Sequence, residues 1–84
     1  MKASPDLLRV LQEQSQAEVA VIVHVDGDPA QYATLVEQLG LSVVRTFRLT
    51  HTIAAHGLAR DVLALLDQPW VTRVEPDQTI TTMV

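Results

Sequence analysis

From Glu18 to Val25 the chain alternates with period two. Val19, Val21, Val23 and Val25 share one side, and Ala20, Ile22 and His24 share the other. This pattern predicts a strand with its valine side on a core. The second side is also largely apolar, so both faces are expected to be at least partly covered. The period then changes. Asp28-Pro29 is a cap-then-proline helix start. Tyr32, Leu35, Val36 and Leu39 follow at i, i+3, i+4 and i+7, and Gly40 supplies a left-handed stop. Residues 41–49 predict a second strand with Val43, Phe47 and Leu49 in core phase and Arg45 interrupting it. Thr50-His51 leads into a third strand at Thr52–Ala55 or slightly beyond, and strands this close in sequence pair antiparallel. Leu58–Asp67 predicts a helix with Val62, Leu65 and Leu66 inward, ended by Pro69. Val71–Glu75 predicts a fourth strand, and Pro76 marks the residues after it as an edge or a departing tail. Ahead of all this, Ser4-Pro5-Asp6 opens a short helix with Leu7, Leu8 and Leu11 on one side. Gln12–Ala17 is its polar exit, and the helix is expected to be an appendage.

The order is helix, then β-α-β-β-α-β. It predicts an α+β, ferredoxin-like fold: a four-stranded antiparallel sheet with two helices on one face, plus the N-terminal helix. The expected division is an extension at 1–17, a domain at 18–77 and a C-terminal tail at 78–84. With both helices on one side, the other sheet face is open. Its expected residues are Ala20, Ile22, Val44, Thr46, Ala54 and Thr72, which are small or apolar, and an open apolar face marks an interaction surface. Dimerisation through that face is one use of it, and docking on a different protein is another.

Composition narrows the partners. Lys2, Arg9, Arg45, Arg48, Arg60 and Arg73 are scattered in a chain of net charge −4, which argues against nucleic acid. No run reaches the roughly 18 apolar residues that a membrane span needs, so no membrane partner is expected. The N-terminal stretch is interrupted by Arg9, Gln12 and Glu13 and is not a secretory signal. The compartment stays open: cytoplasmic if the chain is full length, extracellular if it comes from a secreted precursor. Absence of cysteine excludes disulfides, thiolate metal sites and cysteine nucleophiles.

The candidate chemistry is thin. His51 and His56 fall five apart, on opposite faces of a continuous strand, and His24 has no second ligand at metal spacing. Ser4, Ser15 and Ser42 lie in no GxSxG pattern, and Gly27, Gly40 and Gly57 are single turn or cap residues rather than a phosphate loop. The expectation is no catalysis, no cofactor and no metal.

The second half carries a resemblance. His51-Thr-Ile-Ala-Ala-His56, then the helix with Val62 and Leu65, then Pro69-Trp-Val-Thr-Arg-Val-Glu-Pro-Asp77 resembles the propeptides of subtilisin-like serine proteases. Those show a strand of small residues, a V-x-x-L helix and a P-x-V-x-x-V-E-x-D run. Pro69, Val71, Val74, Glu75 and Asp77 match that run, its most specific part. The resemblance spans residues 18–83. It implies an inhibitor and folding chaperone acting on a subtilisin-like protease, in trans or in cis within a precursor. The open sheet face would pack on the enzyme, and the tail would lie product-like in the substrate cleft. It further implies that Ile80 and Met83 fill the fourth and first subsites, with Thr81 and Thr82 holding the extended form between them. Glu75 and Asp77 would cap helix N-termini on the protease. The alternative for the tail is a solvated terminus, against which its apolar Ile-x-x-Met end counts, whereas the two carboxylates are on residue type alone equally a solvated strand end. Trp70 reads as a cover on the local core. Pro76 departs from the pattern by removing a backbone donor inside the E-x-D motif. Alone, the domain is expected to be a folded monomer or weak dimer. The rival reading is a ferredoxin-like regulatory or dimerisation domain; a histidine-based site is a third and weaker one.

Overall fold

The structure, a computed structural model, describes residues 2–77. Its elements are α1 (Pro5–Glu13), β1 (Glu18–Val25), α2 (Pro29–Gln38), β2 (Ser42–Phe47), β3 (Thr52–Leu58), α3 (Ala59–Leu65) and β4 (Val71–Pro76). The strands form one antiparallel sheet in the order β2-β3-β1-β4, which is the expected ferredoxin-like βαββαβ arrangement with an additional N-terminal helix.

The valine side of β1 is the core. Val21, Val23 and Val25 are buried, and the register sets Val21 against Ala55 and Val23 against both Ile53 and Val74. Val36 of α2 and Ala59, Val62 and Leu65 of α3 close over them. Each fully buried branched side chain here contributes about 1.5–3 kcal/mol relative to exposure. The two expected N-caps form: Ser4 Oγ accepts from Leu7 N at 3.2 Å, and Asp28 Oδ1 accepts from Ala30 N at 3.0 Å. Gly40 takes φ 105, the left-handed stop read from the sequence.

Helix α1 is not an appendage. Leu11 is fully buried, Leu7 and Ala3 nearly so, and the helix packs on α3. Its polar exit has a structural task as well. Helix α3 begins after Leu58, which cannot cap, and the carbonyls of Ala17 and Ser15 accept from Ala59 N (2.8 Å) and Arg60 N (2.9 Å) instead. The linker between α1 and β1 therefore satisfies orphan donors at the start of α3.

Strand β2 is shorter than expected, and its phase differs. The pairing with β3 shifts between Val43 and Arg45, leaving Val44 as a bulge. One extra residue exchanges the two faces beyond it, so Arg45 and Phe47 sit opposite Ala54 and Thr52 on the open side. Phe47 is not a core residue but 38% exposed, and Leu49, in the turn after β2, is 96% exposed. Helix α2 buries less than its periodicity suggests. Val36 is fully covered, whereas Leu35 points outward and Tyr32 stacks on Trp70, with ring centroids 4.7 Å apart and planes 3° from parallel. Trp70 is thus the expected local cover.

Candidate interaction surface

On β1 the side chains of Ala20, Ile22 and His24 point away from the helices, and the register extends this face to both sides. Ala20 sits opposite His56, Ile22 opposite Ala54 and Glu75, and His24 opposite Thr52 and Arg73. Thr52 and Ala54 are small residues between larger neighbours, Phe47 and Arg45 on one side and His24 and Ile22 on the other. Thr52 and Ala54 are largely buried although they lie on the open face.

Polar pairs bound the apolar centre at both ends. At one end His24 Nε2 donates to Glu75 Oε1 at 3.2 Å, and Arg73 closes on the other carboxylate oxygen. At the other, His56 Nδ1 donates to Glu18 Oε2 at 2.9 Å. Thr72 Oγ1 donates to the His24 carbonyl, and Thr50 and Thr52 share a hydroxyl bond of 2.8 Å. The His, Glu and Arg side chains of these pairs are all at least partly solvated, so the pairs orient groups more than they stabilise the fold. None of the buried side-chain polar atoms described lacks a partner.

Of the six residues expected on this face, Ala20, Ile22 and Ala54 are there. Thr46 is not: it sits opposite Ile53, on the helix side. Val44 and Thr72 are the residues skipped where the register shifts, Val44 in β2 and Thr72 between Val71 and Arg73 of β4. In their place the surface holds Arg45, Phe47, His24, His56, Glu18 and Arg73. The bulge that brings in Arg45 and Phe47 carries no sequence signal beyond the out-of-phase arginine.

Glu75 lies on the open face beside Ile22, already held by His24 and Arg73. Asp77 comes directly after the strand, and its N–H donates to the Ala20 carbonyl at 2.9 Å, so the chain is still fastened to β1 where it leaves the sheet. Pro76 sits opposite Val21 in an outer strand, where a missing donor costs the ladder little. Ile80, Thr81, Thr82 and Met83 lie outside the described residues.

The histidines do not converge. His51 is in the hairpin turn at φ 55, and its Nδ1 donates to the Gly27 carbonyl at 2.8 Å. His24 and His56 share a face, but their β1 positions are four residues, roughly 13 Å, apart. Among the described residues no three His, Asp or Glu side chains gather as a metal site. Ser42 sits opposite His56, which bonds Glu18, yet no hydrogen bond joins Ser42 to His56 among the described residues, so the three lack a nucleophile–base contact. No described helix is long and apolar enough to cross a membrane.

No protein-family model matches the chain, and no curated protein matches it.

Proposed function

We propose that this domain is a non-catalytic inhibitor, and in a precursor a folding chaperone, of a subtilisin-like serine protease. The observation that carries the reading is the pairing of β4 with β1. It sets Glu75 beside Ile22 on the uncovered face and fastens Asp77, the last described residue, to Ala20, which supports a reading in which that face and the tail act together. A protease surface packed over Ala20, Ile22 and Ala54 would meet Glu75 in place, its carboxylate oriented by His24 and Arg73. Helix N-termini on the enzyme would then gain a negative partner, worth about 0.3–1 kcal/mol each at exposed sites. The tail beyond Asp77, with Ile80 and Met83 as its apolar anchors, would enter the cleft as an added strand and block it like a product.

The test is a titration of a bacterial subtilisin with the purified chain beside a variant ending at Gln78, following residual peptidase activity. Competitive inhibition at nanomolar to micromolar concentration that disappears in the shortened variant is the expected result. An intact, folded chain that leaves the enzyme fully active and forms a stable dimer would return the domain to the regulatory or assembly reading.

A further inference from the structure

The two outer strands of the sheet are finished differently. On β4 the N-terminal segment covers the edge, with Val74 N donating to the Lys2 carbonyl at 2.6 Å, and Pro76 removes a donor further along. On β2, among the described residues, no segment covers the edge and no proline interrupts it, and its one irregularity is the bulge at Val44. Every residue of Ser42–Phe47 except Val43 is exposed, Val44 at 63%, and among the described residues no backbone bond from outside the sheet reaches the strand. An uncovered outer strand is a template for another strand, and natural edges are normally blunted.

The charge distribution says which strand fits. Residues 38–60 hold Arg45, Arg48 and Arg60 and no carboxylate, whereas the rest of the chain sets Lys2, Arg9 and Arg73 against all ten Asp and Glu. Arg45 and Arg48 make no ion pair with any described residue, and the Arg45 guanidinium lies 6.0 Å from the Phe47 ring centroid, on the same open face. The fold thus leaves two cations, an aromatic ring and an unpaired backbone together on one edge of an otherwise acidic molecule. A second copy is a poor occupant. Antiparallel pairing of two β2 strands would bring together two copies of Arg45, each with Arg48 in the turn just beyond, and no carboxylate opposite, and facing like charges destabilise a ladder.

We propose that β2 is a strand-addition site for an extended, acidic segment of a partner protein, which joins the sheet as a fifth strand and sets its carboxylates against Arg45 and Arg48. Main-chain bonds supply the attachment, and the arginines supply the preference. The strand order keeps this edge three strand spacings, roughly 14 Å, from β4, so it stays free when the C-terminal segment is engaged elsewhere. The site is independent of protease inhibition and survives the failure of that reading.

The test uses the full chain, labelled with ¹⁵N, and two capped eight-residue peptides, one alternating Glu with Val and the other Lys with Val. The acidic peptide should shift the amide signals of Arg45 and Phe47 saturably and slow hydrogen exchange at the outward amides of β2; the basic peptide should do neither. Replacing Arg45→Glu and Arg48→Glu together should weaken the acidic peptide by roughly tenfold or more and admit the basic one. If that variant does not fold, Arg45→Gln with Arg48→Gln should abolish the preference. Equal binding of both peptides, absence of any response on β2, or outward β2 amides already protected by a concentration-dependent dimer would each overturn the proposal.

Discussion

Strand β1 has two faces that do different work. Toward the helices, Val21, Val23 and Val25 meet Ile53, Ala55, Val71 and Val74, and water is excluded. Away from them, Ala20, Ile22 and His24 meet Ala54, Thr52 and Glu75, with hydrogen-bonded polar pairs at both ends of an apolar middle. The first face is close-packed and intolerant of volume change. The second is half-solvated and patterned, unlike a core. A single strand can thus hold the fold together and present the proposed docking face, because adjacent side chains point in opposite directions.

The two described isoleucines lie on opposite faces and give the sharpest contrast. Ile53→Ala, at a fully buried site, should cost about 2–5 kcal/mol in urea unfolding, while Ile22→Ala should cost roughly 1 kcal/mol or less. Equal costs would mean that the open face is packed in solution and would break the comparison. Gly57→Ala probes the closed face from the other direction. The added Cβ would lie 2.6 Å from Leu41 Cδ2 and 3.3 Å from its Cα, and Leu41 is buried and cannot swing clear. A loss of about 1–3 kcal/mol is expected, read as a lowered denaturation midpoint.

Glu75→Gln should separate the faces by function. Its partners are solvent-accessible, so stability should change by no more than about 1 kcal/mol. Inhibition of subtilisin, on the proposed function, should weaken about two- to fivefold. A large stability loss without any change in inhibition would place Glu75 in the framework instead. The smallest effect concerns the chain's one tyrosine. Tyr32 Oη donates to Asp26 Oδ1 at 2.8 Å, and this bond, with minor help from desolvation and the carboxylate charge, raises the phenol above its ordinary pKa of 10.0. A group raised in the folded state contributes stability below its unfolded pKa and loses it as pH climbs through the folded value. Phenolate absorbance should therefore titrate above pH 10 in the folded protein, and Asp26→Asn should bring the midpoint down.

Much of the architecture is legible in local pattern. The valine alternation of β1, the Ser4-Pro5 and Asp28-Pro29 helix starts and the Gly40 stop each act within a few residues, and each forms where the sequence places it, whereas α3 ends at Leu65, short of the expected Asp67. The site is less legible. Three of six expected face residues are on the face, because the β2 bulge and the skip at Thr72 depend on how two strands settle against each other. Helix α1 looked dispensable by itself, since the need for Leu11 appears only once α3 and the sheet leave space for it.

The sequence alone therefore determined the identity and order of the elements and the face on which β1 buries its valines, since periodicity and caps are properties of neighbouring residues. Tertiary structure decided the rest. It joined His24 to Glu75 across fifty-one positions, lent α3 the carbonyls of Ser15 and Ala17, exchanged the faces of β2 beyond Val44 and, among the described residues, left that strand's edge uncovered. Each of these depends on contacts between residues far apart in the chain, whose geometry exists only when the sheet has closed.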